Sequence, residues 1–344
     1  MKALVLEEKL RLSLRDITLP LEMGPRDVRI RIGRVGICGS DVHYYKHGRI
    51  GPFVVNAPMV LGHEAAGVVV EAGSEVHDLK PGDRVCMEPG IPAQGSPSTL
   101  AGRYNLDPEV RFWATPPYHG CMRESVVHPA NFTFKLPDEV SLEEGALVEP
   151  LAIGVYSAHT AAIQPGDVAL VFGSGTIGIV TALAALASGC SKVLLVDVKE
   201  RKLEIVRQHF SGNIICVNSA RESLEDAVHA LAPEGADIVF EASGSAAVIG
   251  SFIRYLRPGG RAVMIGMPAA PAPFDVVAAQ VKEIEIRHIF RYRNMYPRTI
   301  KLIASGTLKV KPLITHHFEF SDALKAFDFA AGMPDDAIKI MVNL

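Results

Sequence analysis

Two groups of residues in this sequence have the types and spacing to do chemistry. The first is Gly173-Ser174-Gly175-Thr176-Ile177-Gly178, a GxGxxG turn. It follows the apolar β run Val168–Phe172 and opens an Ala/Leu-rich helical stretch that reaches Ala187. In that setting the motif cradles a pyrophosphate. Gly173 permits the tight turn, Gly175 lets backbone amides approach the phosphates, and Gly178 lets helix and strand pack closely. Thr176 and Ile177 begin the helix, whose N-terminus supplies partial positive charge. Asp197 ends the next β run, 19 residues after Gly178. A carboxylate there accepts hydrogen bonds from adenosine ribose hydroxyls and repels a 2′-phosphate, which favours NAD over NADP. Lys199, Arg201 and Lys202 follow closely, and such a basic cluster could tolerate a phosphate.

The second group could hold a metal. Cys38 lies in GICGSD, His63 and Glu64 in GHE, and Glu149 in VEP. Zinc accepts thiolate, imidazole and carboxylate, and a catalytic site keeps one position open. Cys38 and His63 are 25 residues apart, and His63 and Glu149 are 86 apart, so only the fold can assemble them. His63 and Glu64 are adjacent, and on a regular strand they would face opposite ways. Both can serve one ion only if the backbone bends there. The carboxylate of the set is therefore either Glu64 or Glu149.

The remaining composition narrows the classes. Of 344 residues, 48% are hydrophobic and 21% charged, with 35 basic and 38 acidic residues and a net charge of −3. Nothing here attracts nucleic acid or an anionic membrane. Five widely spaced cysteines with no CxxC make a disulfide framework a poor reading and a reducing compartment, the cytoplasm, the better one. Val168–Ser191 carries no charge, but its glycines make it a buried strand–turn–helix rather than a membrane span.

Up to about residue 150 the texture is strand and loop. Asp27–Ile32 alternates Val28, Ile30 and Ile32 against Arg29 and Arg31, the pattern of a half-buried strand. Gly67–Glu71 and Arg84–Met87 read as further strands. Beyond Pro150, β runs at 168–172, 192–197, 214–217, 237–241 and 262–266 alternate with helical stretches, which implies a parallel sheet covered on both faces. The pattern shifts again near Glu285, and two helices at about 297–305 and 321–331 are each followed by a β-like run.

With GICGSDVHYYKHGRIG, MVLGHEAAGVV, GDRVCMEPGIP, GRYNLDP, FWATPPYHG, EGALVEPLAIGVYSA and FRYRNMYP in order, the chain resembles the zinc-containing medium-chain alcohol dehydrogenases from end to end. Within them it is most similar to the polyol dehydrogenases of the sorbitol and xylitol type. The resemblance implies an α/β fold in two domains. A GroES-like, mostly-β catalytic domain takes residues 1–151 and 286–344, and a Rossmann-type doubly wound sheet takes 152–285. It implies one catalytic zinc on Cys38, His63 and a glutamate. In the polyol branch that glutamate is usually the one beside the histidine, Glu64, while Glu149 holds water at the metal. Ser40 and His43 match proton-relay positions. Tyr44, Phe112, Thr115, Arg291 and Tyr292 fall on stretches that line the polyol pocket, and Gly266, Met267 and Phe290 on cofactor-contacting stretches. The implied activity is reversible, NAD-dependent oxidation of a secondary alcohol of a sugar alcohol to the ketose, in a homotetramer or homodimer. Two rivals remain: a zinc dehydrogenase for threonine or a simple secondary alcohol, and a cofactor-binding protein without activity. Retention of Cys38, His63 and Glu149 argues against the second.

The sequence departs from the family in one place. Many members hold a structural zinc in a lobe patterned Cys-x2-Cys-x2-Cys-x7-Cys. Here those positions are Ala93, Ser96, Thr99 and Asp107, so no structural zinc is expected.

Overall fold

The alternation at Val28, Ile30 and Ile32 buries all three side chains in the strand Asp27–Ile37, while Arg31 stays exposed. This strand is the hub of a mixed sheet in a computed structural model that describes residues 1–20, 22–210 and 212–344. Among the described residues the sheet runs Thr133–Lys135, Arg84–Met87, Glu64–Ala72, Asp27–Ile37, Lys339–Asn343 and Ile314–Glu319, and Ser125–Pro129 also pairs with the hub strand. Register sets the neighbours across the hub: Gly36 lies opposite Glu64 on one side and opposite Met341 on the other. The chain's last strand is thereby brought beside residues near its start.

By contacts the chain divides into two compact units, Met1–Glu149 with Tyr296–Leu344, and Pro150–Met295. In the second unit, six parallel strands among the described residues run in the spatial order 3-2-1-4-5-6 of their sequence order. That is the dinucleotide-binding arrangement, with the ligand crevice where the order reverses. The strand Val168–Phe172 and the helix Thr176–Ala187 flank the glycine turn as the motif requires. The sequence reading ends this domain at 285. In the structure Glu285–His288 is still a strand of the parallel sheet, paired with Leu256–Met264, and the unit runs on to Met295. The stretch before that pair also differs. In place of one helix there are a short one, Ala246–Ile249, and a 3-10 turn, Phe252–Tyr255, and the strand begins at Leu256. No helix among the described residues is long and apolar enough to cross a membrane.

The lobe around residue 100 is tied without thiolates. Asp107 is 3% exposed. Its carboxylate accepts from the Ala93 amide at 2.6 Å and the Glu109 amide at 3.0 Å. The hydroxyls of Ser96 and Thr99 lie against it. They also bond to each other at 2.9 Å, and Ser96 caps the short helix Pro97–Leu100. Thus Ala93, Ser96, Thr99 and Asp107 do converge. Burial raises the Asp107 pKa, but these donors outweigh it and hold the carboxyl below its ordinary value. Asp107→Ala should cost the lobe roughly 2–4 kcal/mol by leaving two amides unpaired, read as faster hydrogen exchange at Ala93 and Glu109. Because the folded pKa is depressed, the carboxylate's contribution is present above the unfolded pKa and fades as pH falls through the folded one. Protection of those amides, taken relative to their intrinsic exchange rates at each pH, should fall in acid in the natural protein and be low and independent of pH in the variant.

Candidate functional site

The first unit assembles its reactive groups at the ends of three strands. Cys38 follows the hub strand and sits at the N-cap of the helix Gly39–His47. His63 does not lie on a strand: Gly62, with φ +88°, turns the chain, and the strand begins at Glu64. The alternation that would point neighbours apart therefore does not apply. One ligand atom each from Cys38, His63 and Glu64 lies within 4.8 Å of the others. Glu149 is buried on the helix Leu142–Ala161 and is not part of that cluster, though its charge is felt at Lys339 and Glu88.

Two residues that the sequence reading did not single out, Asp41 and Lys339, hold the cluster. Asp41 is fully buried, and its carboxylate accepts from the amides of Gly62 at 3.0 Å and Cys38 at 3.1 Å, tying the two ligand loops together. Its other neighbour is His63, whose Nδ1 is 3.7 Å away. Burial would raise the Asp41 pKa, yet His63 and the two amides bring it down. Lys339, 3% exposed, donates to both carboxylate oxygens of Glu64 at 2.7 Å and to the Ile37 carbonyl at 3.1 Å. Burial lowers the Lys339 pKa, but Glu64, Cys38 and Glu149 raise it more. Glu88 is pushed up to about 7, first by burial, against the hydrogen bond from Tyr104 and with help from Glu149. A charged residue inside the apolar run AIKIMV was the one signal pointing to Lys339. Asp41 sat within the GICGSD motif unread.

The residues fit a divalent cation. A thiol, an imidazole and a carboxylate converge out of water, and the buried His63 Nδ1 has no hydrogen-bond partner. Burial alone would lower the His63 pKa, yet Asp41 and Cys38 raise it well above its ordinary value. The local field thus favours positive charge at this point, which is what a metal supplies.

Among the other expected residues, Ser40 is half-buried and His43 exposed, one turn apart on the helix Gly39–His47. Burial, then the neighbouring His47 ring at 4.5 Å, lower the His43 pKa. Phe112 packs against His63 with ring centroids 5.7 Å apart, and the half-buried Thr115 donates its amide to the Phe112 carbonyl. Tyr44 is 3% exposed and belongs to the unit's apolar core.

In the second unit, a Cβ at Gly178 would collide with the Gly173 carbonyl, and Gly173 has φ +99°. The space beside Gly175 is open. Asp197 accepts from the amide and hydroxyl of Ser174 at 2.6 and 2.8 Å, and from the amides of Val198 and Lys199 at 2.7 and 2.9 Å. These bonds outweigh burial and lower its pKa. Lys202 is half-buried on the helix Glu200–His209. Gly266 donates its amide to the Glu241 carbonyl at 2.8 Å, and Met267 beside it is 71% exposed. The Arg291 guanidinium lies 4.9 Å from the centre of the Phe290 ring, at a backbone φ of +54°, and Tyr292 is buried.

Fold and site together define a metal-dependent oxidoreductase class, and comparison with known proteins gives the family. Residues 24–138 match the alcohol dehydrogenase GroES-like domain and residues 176–305 the zinc-binding dehydrogenase domain. The chain belongs to the zinc-containing medium-chain dehydrogenases, polyol branch. It is 56% identical to a D-xylulose reductase of Morganella morganii, over 96% of this chain and 98% of that protein. It is 43% identical to a sorbitol dehydrogenase of Rattus norvegicus, over 90% of this chain and 87% of that protein. A crystal structure of an Escherichia coli oxidoreductase of unknown specificity, 36% identical, superposes with a TM-score of 0.93 over 99% of this chain and 98% of that one.

Gly36 gives a direct probe of the site. A Cβ there would strike the Glu64 carboxylate. Since that group ends a side chain, it should move before the backbone does. Gly36→Ala should therefore fold but hold its metal at least about tenfold more weakly, measured as zinc content after dialysis against a chelator.

Proposed function

We propose that the protein catalyses the reversible, NAD-dependent oxidation of a secondary hydroxyl of a xylitol- or sorbitol-type polyol to the ketose, with one zinc ion on Cys38, His63 and Glu64. The convergence of those three donors within 4.8 Å carries the reading. The relatives named for D-xylulose and sorbitol support the substrate class. Zinc at this site supplies Lewis-acid polarisation of a hydroxyl oxygen. Bound NAD would supply the hydride acceptor.

The chain's residues do the rest. Ser40 takes the hydroxyl proton and passes it toward His43, whose lowered pKa keeps the imidazole neutral and able to accept it near neutral pH. Glu149 holds water near the cluster. Phe112 keeps the His63 ring in place and excludes water from it. Arg291, Tyr292 and Thr115 orient the remaining hydroxyls. In the cofactor half, Gly173, Gly175, Thr176, Ile177 and Gly178 bind the pyrophosphate, and Gly266, Met267 and Phe290 flank the cofactor. Asp197 presents a fixed negative charge that accepts from ribose hydroxyls and repels a 2′-phosphate, with Lys202 at the same edge. The Asp107 knot takes the place of a structural zinc. The same reading places a homotetramer or homodimer in the cytoplasm, where its five thiols stay reduced.

A panel of xylitol, sorbitol, threonine and 2-butanol with NAD or NADP, followed by absorbance of the reduced cofactor, tests this. Polyols with NAD should turn over fastest. Turnover of threonine or 2-butanol alone would reassign the substrate, and no turnover by a zinc-replete protein would favour the binding-protein rival. Cys38→Ser should lose zinc and activity together. Asp197→Ala should lower the preference for NAD over NADP about ten- to hundredfold, as expected for removing a like-charge clash, read as the ratio of kcat/KM values.

A further inference from the structure

Lys339 is the buried lysine on the last strand, 275 residues after Glu64, yet it grips both oxygens of that carboxylate at an equal 2.7 Å. The pair is 3% and 1% exposed in side chain, so water screens neither partner. Its third contact is the Ile37 carbonyl, immediately before Cys38. The ammonium therefore sits against both segments that carry the candidate metal ligands. Register places it there: Ile340 pairs with Ile37, and Glu64 pairs with Gly36. The missing side chain at Gly36 leaves the space that the Glu64 carboxylate fills.

An isolated buried charge is strongly disfavoured, and where Asp41 and Asp107 are held by amides, the hydrogen bonds that the Glu64 carboxylate accepts come from Lys339. A metal at the cluster would be a second cation for that carboxylate. Lys339 is present at all times and is covalently part of the chain. The two compete for the same oxygens, and the fixed positive charge also repels an incoming divalent ion. We propose that Lys339 is a positioning residue that stands in for the metal at Glu64. It keeps the emptied site folded, and by stabilising the metal-free state it weakens metal binding and makes the ion exchangeable. This rests on the reading that Cys38, His63 and Glu64 hold a divalent ion.

The test uses the full chain, stripped of metal and titrated with zinc against a chromogenic chelator, with thermal midpoints recorded with and without zinc. The variants are Lys339→Met, Lys339→Arg and the double variant Lys339→Met with Glu64→Gln. Lys339→Met should bind zinc at least about tenfold more tightly. Its metal-free midpoint should fall much further than its zinc-bound one, because zinc then supplies the only cation that Glu64 has. Lys339→Arg should keep both properties near those of the natural protein. The double variant should recover the metal-free midpoint, since neither charge is left buried alone, while binding zinc more weakly than the natural protein. A merely structural lysine would lower both midpoints equally and leave zinc affinity unchanged or weaker, and either result overturns the proposal. So does a Lys339→Met chain that fails to fold even with zinc present. If the natural protein itself takes up no zinc at this cluster, the metal reading falls, and this proposal falls with it. Normal zinc binding by the natural protein with an unaltered Lys339→Met affinity rejects the role of Lys339 alone.

Discussion

A buried carboxylate must replace the water it has lost with converging hydrogen-bond donors or an opposite charge, and at Glu64, 1% exposed, the catalytic half of this protein meets that constraint with a buried lysine. The hub strand Asp27–Ile37 lies between the strands that carry Glu64 and Lys339, and its register brings an acid from early in the chain against a base from its end. Closing this pair requires the last strand to be in place. The site is therefore complete only when the C-terminal segment has returned to the N-terminal part. That return is also what splits the catalytic unit in sequence. The interrupted domain organisation and the buried ion pair are consequences of one topology.

Asp41 answers a related problem by different means. It is 0% exposed, and among the described residues no lysine or arginine pairs with its carboxylate. Backbone amides of Gly62 and Cys38 accept the burden instead, with His63 beside them. Charge-assisted bonds to amides are strong and directional, so they fix loops rather than merely neutralise charge. Asp197 does the same in the other unit, where four donors from the phosphate turn and the following residues converge on one carboxylate. Its charge is thus held rigidly at the strand end. A rigid charge discriminates between ribose and a phosphorylated ribose better than a mobile one, because it cannot swing away from the clash.

Much of this was legible in the sequence, because local chemistry carried it. The strands at 168–172 and 192–197 follow from hydrophobic period and glycine placement, and they occur where expected. The GxGxxG turn was readable because each glycine answers a local steric demand. The candidate donors were readable as residue types, but the residues alone left Glu64 and Glu149 open, and only the family resemblance favoured Glu64. That choice depends on a bend at Gly62 and on pairing between distant strands, and neither leaves a periodic trace. Lys339 was hidden for the same reason: its partner is 275 residues away. The end of the cofactor unit was drawn early because Glu285–His288, an edge strand with two charged residues and a histidine in four positions, lacks the apolar run that marks a buried parallel strand.

The lobe at 93–107 and the cluster at Cys38 illustrate two solutions to one difficulty. Four cysteines brought together would need a cation to relieve their mutual repulsion as thiolates, and a metal provides it. This chain instead places there one acid, two hydroxyls and a residue that contributes only its backbone amide. A single negative charge surrounded by neutral donors needs no cation, so the lobe can be tied by hydrogen bonds alone. At Cys38, His63 and Glu64 the donors include a thiol and a carboxylate, and their charge is not spread over amides in this way. An electrophile for the substrate requires a real positive charge with a free coordination position, which hydrogen-bond donors do not supply. The lobe is thus tied by neutral donors around one charge, while Cys38, His63 and Glu64 gather donors whose charge a divalent ion would balance.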